Sequence, residues 1–154
     1  ETYYRGENCQ TYCVNGTFNS TNNTCNCWPG WEADGCTTES RLDWIGTYSL
    51  SSNCNQTSSV ETISTKEHPE ADSVNIAANY VGITGLTTIG DTKGYGLIDG
   101  NSIRIPRQNV TAGGVSYRVE SKQPAILNGN SFEIIIIRTY QGFNVECTLT
   151  YVKS

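Results

Sequence analysis

The stretch FEIIIIRTYQGFNVECTLTYV, residues 132–152, decides the fold class, because it holds two strand patterns joined by a short connection. Both halves are rich in β-branched and aromatic residues, and the second half alternates apolar with polar side chains. That period of two is typical of a strand with one buried face. The connection YQGF, residues 140–143, contains a glycine, as tight turns commonly do. The stretch therefore predicts an antiparallel hairpin.

Four consecutive isoleucines interrupt the alternation in the first half of this hairpin. Successive side chains of a strand point to opposite faces, so Ile134 and Ile136 can face a core only if Ile135 and Ile137 face away from it. An exposed apolar patch usually marks a contact site. We expect Ile135 and Ile137 to be covered, either by the N-terminal part of the chain or by another copy of the protein. A β-sandwich in which this strand is central and covered on both faces is the alternative.

Similar patterns continue upstream of the hairpin. Gly-Asn-Ser turns lie in LIDGNSIRI, residues 97–105, and in ILNGNSFEI, residues 126–134, and no helical period is found. A domain of antiparallel hairpins over residues 39–154 must hide its sheet edges, which favours an all-β antiparallel barrel, with a β-sandwich as the alternative. The candidate strands are WIGTYSL, SVETIST, SVNIAANYVGI, LTTIG, YGLI, SIRIP, VSYRVES, FEIIIIRTY and FNVECTLTYV.

A small antiparallel barrel can hold one apolar ligand in its mouth. The alternative is a barrel whose interior is filled by its own side chains, and large apolar residues are numerous enough for that. In a closed antiparallel barrel the first and last strands are neighbours, so we expect a disulfide between Cys54 and Cys147. The candidate core residues are Trp44, Tyr48, Leu50, Ile76, Ile103, Val145, Leu149 and Tyr151.

The first 38 residues have a different composition and are predicted to form a separate module. They contain almost no aliphatic residues, and five of the seven cysteines of the chain lie in residues 1–36. A segment of this kind cannot build a core, so disulfides must hold it together. A zinc site would use paired C-x-x-C spacings, which are absent, so we expect no metal ion.

The string CNCWPGW, residues 25–31, followed after four residues by Cys36, resembles the C-terminal signature of epidermal-growth-factor-like modules. The resemblance implies the disulfides Cys13–Cys25 and Cys27–Cys36. In agreement, two cysteines that are one residue apart point to opposite sides of an extended chain and take different partners. RGEN, residues 5–8, departs from the pattern of the calcium-binding members, so we expect no calcium ion.

Phe18 stands where the third cysteine of such a module belongs, which leaves Cys9 without a partner. A cysteine left over in a secreted protein indicates either pairing between chains or a free thiol. We expect Cys9 to bond another chain or to be shielded at a subunit contact. A rearranged module in which Cys9 pairs with Cys25 and leaves Cys13 over is the alternative.

DWIGTY, residues 43–48, resembles the start of the barrel domain in a family of surface and secreted Bacteroidetes proteins. In that family an epidermal-growth-factor-like module precedes a small β-barrel of mostly unassigned function, and Cys54 and Cys147 match its barrel cysteines. The resemblance implies that Ser73 in Asp-Ser-Val is an O-glycosylation site. In a eukaryotic secretory chain the acceptors would instead be the N-x-S/T triplets. These triplets begin at Asn15, Asn19, Asn22, Asn55 and Asn109.

Charge and residue types restrict the functional classes. A formal net charge of −5 disfavours binding to nucleic acid or to an anionic membrane, and no apolar run is long enough to span a bilayer. The single histidine, His68, lies in a polar segment, where a weak cation site with Glu67, Glu70 and Asp72 is less favoured than a surface loop. No Ser/His/Asp or Cys/His set can be built, so we expect a non-enzyme without a cofactor.

Three functional classes remain. Cysteine density and the absence of methionine predict an exported extracellular chain, and we expect first a subunit of a cell-surface fibre or layer that associates with itself. The N-terminal Tyr3 and Tyr4 could then add to a neighbour's sheet edge. The alternatives are a surface adhesion module that binds glycan or protein, and a carrier of a small apolar ligand. Gly46-x-Tyr48 resembles the G-x-W opening of lipocalins, which supports the carrier.

Overall fold

The structure is a computed structural model that describes residues 4–5, 10–65, 78–87 and 93–154, and these residues are almost entirely β. The only helical turn in the described segments is a 3₁₀ turn at Ser40–Asp43. The strands are β1 (Tyr4–Arg5), β2 (Gln10–Thr11), β3 (Gly16–Asn19), β4 (Thr24–Cys27), β5 (Trp31–Glu32), β6 (Thr38–Glu39), β7 (Gly46–Ser52), β8 (Asn55–Thr65), β9 (Tyr80–Ile83), β10 (Gly94–Asp99), β11 (Ser102–Arg104), β12 (Gln108–Ala112), β13 (Val115–Ser121), β14 (Ala125–Ile126), β15 (Ser131–Tyr140) and β16 (Phe143–Lys153).

The N-terminal module consists of short strand pairs held by two disulfides. β1 pairs with β2, β3 with β4, and β5 with β6. Cys13–Cys25 and Cys27–Cys36 have Cα–Cα distances of 5.7 Å and 5.3 Å, which are normal for a disulfide. Both predicted bonds are therefore present. Cys9 lies outside the described residues.

The rest of the chain forms one curled antiparallel sheet that resembles half of a barrel. Ten of the described strands follow each other in the order β12-β13-β15-β16-β7-β8-β9-β10-β11-β14. The last strand, β16, pairs with the first strand of the domain, β7, as a barrel requires. Cys54 and Cys147 lie 5.5 Å apart at their Cα atoms and form the predicted disulfide across this junction. The all-β barrel fold is thus confirmed as one continuous curled sheet.

A glutamine side chain bridges β10 and β12 at the gap of the half-barrel. Nε2 of Gln108 donates a hydrogen bond to the Tyr95 carbonyl at 2.7 Å, and its Oε1 accepts one from the Tyr95 amide at 2.8 Å. The side chain of Gln108 thus takes the place of a neighbouring strand, because it bonds both the amide and the carbonyl of Tyr95. Gly94 permits the approach, because a Cβ atom there would lie 2.5 Å from Cδ1 of Leu86 and 3.1 Å from Oε1 of Gln108.

The interior is filled at one end by an aromatic cluster. The rings of Phe132 and Tyr151 stack at 4.7 Å between centroids, and Trp44 and Tyr48 meet Phe132 edge-on at 5.1 Å and 5.7 Å. The hydroxyl of Tyr48 donates to the Trp44 carbonyl at 2.6 Å, so the buried polar atom is satisfied. Most of the predicted core residues are buried, namely Trp44, Tyr48, Leu50, Ile103, Leu149 and Tyr151.

The prediction that Val145 belongs to the core is wrong, because its side chain is 51 % exposed. Val145 points to the same face as the buried residues of β16. However, β16 continues beyond the end of β7, so no neighbouring strand on that side helps to cover it. Ile76 lies outside the described residues. The predicted strand LTTIG is wrong at Leu86 and Thr87, which form a buried bend. The strand β12, Gln108–Ala112, was not predicted.

The module and the sheet are in direct contact near the predicted boundary. The amide of Ala78 donates to the Pro29 carbonyl at 3.0 Å, and a Cβ atom on Gly30 would lie 2.4 Å from the Ala78 carbonyl carbon. Arg41 donates from Nη1 to the Tyr80 carbonyl at 2.9 Å. The pairing of β5 with β6 extends to Glu39, one residue past the predicted module of residues 1–38.

Ile135 and Ile137 lie on the outer face of β15 and are half-buried. They are paired with Thr148 and Glu146 of β16, and Ile137 also with Glu120 of β13. Neighbouring strands therefore shield them in part. The further covering of Ile135 and Ile137 by the N-terminal module or by another copy stays a prediction. Tyr4 belongs to β1 and pairs with Thr11 of its own chain, while Tyr3 lies outside the described residues.

Candidate functional site

The hairpin of β15 and β16 extends beyond the strand on its other side. β15 and β16 pair from Ser131↔Val152 to Tyr140↔Phe143, whereas β16 pairs with β7 only from Leu149 to Lys153. The cause is the turn after β7, where the amide of Asn53 donates to the Thr148 carbonyl at 3.3 Å and the chain reverses into β8. Residues 143–146 therefore form an open rim of the half-barrel.

The inward face of this hairpin runs without a break from the core to the rim. Ile134, Ile136 and Arg138 are buried on β15, and the next inward residue, Tyr140, is exposed. On β16 the exposed fraction rises to 51 % at Val145 and 75 % at Phe143. The same apolar phase that fills the interior thus continues into solvent.

A concave surface of about 320 Å³ lies at this end of the sheet, and we call it the barrel mouth. The rings of Tyr117 and Tyr140 are 5.2 Å apart at an angle of 39°, and they form one wall. Pockets of this size are at the small end of those that bind organic ligands. The barrel mouth is lined by Cys54, Tyr117, Arg138, Tyr140, Phe143 and Val145.

Arg138 is the charged residue of the barrel mouth, and it is only 8 % exposed. Its Nε donates a hydrogen bond to the Leu86 carbonyl at 2.8 Å. Burial lowers the pKa of its guanidinium, and attraction to the hydroxyl groups of Tyr151 and Tyr117 acts in the opposite direction. Arginine stays protonated under such a shift, because its normal pKa is far above neutral. A cationic side chain is therefore held among apolar neighbours.

The bend that receives Arg138 crosses the interior below the barrel mouth. Residues 84–87 are all buried, and the Tyr151 hydroxyl donates to the Thr84 carbonyl at 2.8 Å. Gly85 has φ +86°, and a Cβ atom there would approach Cγ of Glu61 to 2.8 Å. Burial, and to a smaller extent the Glu61 carboxylate, raise the pKa of Tyr151 above its usual range. These contacts separate the aromatic core from the mouth.

Two further grooves are more polar than the barrel mouth. One of about 420 Å³ lies between the N-terminal module and β10–β11, and it includes Asn79, whose buried Oδ1 has no hydrogen-bond partner among the described residues. The other, of about 380 Å³, includes the carboxylates of Glu32 and Asp43. Within the described ranges no group of three or more His, Cys, Asp or Glu residues could hold a metal ion. In the same ranges no helix is long and apolar enough to cross a membrane.

The predicted glycosylation residues are in different surroundings. Nδ2 of Asn15 donates to the Cys36 carbonyl at 3.0 Å, and Oδ1 of Asn22 accepts from the amide of Thr24 at 3.3 Å. Oδ1 of Asn19 accepts from the Thr21 amide at 3.0 Å. Asn109 is exposed on β12, the side chain of Asn55 is not described, and Ser73 and His68 lie outside the described residues. Use of any of them stays a prediction.

From the sequence, Cys54 was predicted as a disulfide cysteine and Val145 as a core residue, but none of the barrel-mouth residues was assigned to a binding site, although a signal was present. Every second residue of β15 faces the interior, and Phe132, Ile134 and Ile136 are apolar. The next inward position is Arg138, a charged residue where a core residue would be expected. No protein-family model, no curated protein and no solved structure matches the chain. The fold and site define a disulfide-linked all-β protein with a barrel-like sheet and an open apolar end.

Proposed function

We propose that this is a non-enzymatic extracellular binding protein whose barrel mouth holds a small ligand with an apolar body. The observation that carries the proposal is the exposed apolar inner face formed by Tyr140, Phe143 and Val145. Covering roughly 100 Å² of such surface contributes about 2.5 kcal/mol. The three disulfides among the described residues indicate an oxidising, extracellular environment.

Among the functional classes expected from the sequence, this proposal corresponds to the carrier of a small ligand. The aromatic cluster fills the other end of the half-barrel, so the ligand would sit at the mouth and not deep in the interior. Adhesion to a glycan is less well supported, since a sugar offers many hydroxyl groups and the polar partners in the mouth are two tyrosine hydroxyls and one guanidinium. The Bacteroidetes resemblance and the epidermal-growth-factor-like module remain predictions.

The test compares the inner and outer apolar side chains of the same sheet. Titration of the purified chain with 2-naphthol and 1-octanol, followed by ¹⁵N–¹H spectra, should shift amide signals around β15 and β16. The double variant Phe143→Ser with Val145→Ser should weaken binding by about tenfold, equivalent to about 1.4 kcal/mol. Val60→Ser, which changes an outer-face side chain that is 73 % exposed, is the matched control and should bind as the wild type does. Equal losses in both variants, or no shifts in the wild type, would refute the proposal.

A second proposed function is self-association into an extracellular assembly. It is supported by the rim at residues 143–146, which has a strand partner on one side only and could accept a strand from a second copy. Cys9, if it is unpaired, would then bond or be shielded at the contact. Non-reducing electrophoresis and sedimentation with and without reductant test this function. A monomer with Cys9 open to alkylation under native conditions would contradict it.

A further inference from the structure

The side chain of Arg138 is, as a whole, more buried than that of a charged residue without an ionic partner normally is. The residue is 8 % exposed and occupies an inward position of β15, directly after the buried Ile136. It takes part in none of the three ion pairs formed by the described residues. Burying a charge is unfavourable unless a counter-charge and hydrogen bonds compensate it. The terminal nitrogens are not among the buried atoms that lack a hydrogen-bond partner, so they remain accessible from the barrel mouth.

The hydrogen bonds of Arg138 are also incomplete. A guanidinium has five N–H donors, and in the described part of the chain only Nε–H is used, in the bond to the Leu86 carbonyl. That bond restrains the plane of the group. The four N–H donors on the two terminal nitrogens remain for a ligand in the barrel mouth, which Arg138 lines.

We propose that the ligand of the barrel mouth is a small organic carboxylate with an apolar body, and that its carboxylate binds to the terminal nitrogens of Arg138. The inference rests on the proposed function and names the chemical class of the ligand. A planar guanidinium forms two parallel hydrogen bonds to a carboxylate. The apolar body would lie against Phe143 and Val145 and against the ring pair of Tyr117 and Tyr140.

Other charged ligands fit the same surroundings less well. No other Lys or Arg lines the barrel mouth in the described residues, so a doubly charged phosphate would be left with an unbalanced charge. A cationic ligand would be repelled by Arg138, and the described lining of the barrel mouth contains no carboxylate to attract it. A mouth of about 320 Å³ suits a body of one ring or a short alkyl chain.

The experiment compares two ligands of the same shape that differ in charge. Isothermal titration of the full chain with 3-phenylpropanoate and with 3-phenylpropanamide should show that the acid binds at least about tenfold more tightly, as expected for charge-assisted hydrogen bonds. Arg138→Gln should reduce this ratio to about one while the amide still binds. Arg118→Gln changes the net charge equally on an exposed residue of β13 and should keep the wild-type ratio.

Each outcome separates the ligand class from the proposed function. If acid and amide bind the wild type equally, the carboxylate inference is overturned and the apolar mouth stands. If neither ligand binds, and 2-naphthol and 1-octanol fail as well, both are overturned. Loss of the ratio in Arg118→Gln as well as Arg138→Gln would mean that net charge, not this site, selects the acid. If Arg138→Gln fails to fold, which circular dichroism would reveal, the wild-type ratio and its retention in Arg118→Gln decide the question together.

Discussion

The disulfide between Cys54 and Cys147 should contribute more to stability than either bond of the N-terminal module. Its cysteines are 93 residues apart, and they join the turn after β7 to β16. In the chain-entropy model, closing a loop of this length in the unfolded state stabilises the folded protein by about 4.6 kcal/mol. The Cys13–Cys25 bond spans 12 residues and should contribute about 2.8 kcal/mol by the same relation.

We predict that the double variant Cys54→Ala with Cys147→Ala loses about 3–5 kcal/mol of unfolding free energy. Both cysteines must be replaced, because a single change leaves a reactive thiol. Urea unfolding monitored by circular dichroism measures the loss, with Cys13→Ala plus Cys25→Ala as the matched control. The control should lose less, because its loop is shorter.

The same variant should also weaken ligand binding at the barrel mouth. Cys54 lines the mouth, and without the disulfide the rim at residues 143–146 keeps its pairing with β15 and the exposed Lys122–Glu146 ion pair but loses its covalent link to the turn after β7. If the double variant Cys54→Ala with Cys147→Ala unfolds at the same urea concentration as the wild type, the reasoning about loop closure is refuted. Peptide mapping that finds Cys54 or Cys147 free, or joined to the N-terminal module, would refute it as well.

Three other predictions concern the sheet gap, alkaline stability and the outer face. Gln108→Leu should cost about 2–4 kcal/mol in urea unfolding, because the amide and the carbonyl of Tyr95 lose their hydrogen bonds to Gln108, whereas Asn109→Leu on the exposed face should change little. Burial raises the pKa of Tyr48 to about 12, so the folded state holds its proton longer than the unfolded state and stability should fall between pH 10 and pH 12. Tyr48→Phe should lose less over that range, and an identical pH profile would contradict this. Replacing Ile135 and Ile137 by Thr should weaken self-association in sedimentation while leaving the fold intact; unchanged association would count against the predicted contact.

Local patterns predicted the β elements where the side chains alternate strongly. The hairpin of β15 and β16 has dense β-branched residues and a Gly142 turn, and it was predicted nearly to its ends. β12 was missed because Gln108–Ala112 has a single large apolar residue, Val110. Leu86 was assigned to a strand because it is apolar, yet it lies in a buried bend. Apolar character indicates burial, but it does not specify the backbone conformation that achieves it.

The sequence by itself determined the all-β class, the disulfide-linked module and the inward phase of each strong strand, because alternation and cysteine spacing are local properties. Only the tertiary structure decided where the interior ends. Val145 and Arg138 have the same inward phase as the core residues, but β7 stops short of one and the bend at Leu86 receives the other. How far a partner strand extends depends on contacts between distant segments. Those contacts place one predicted core residue, Val145, at the rim of the barrel mouth and one inward-facing charge, Arg138, at its floor.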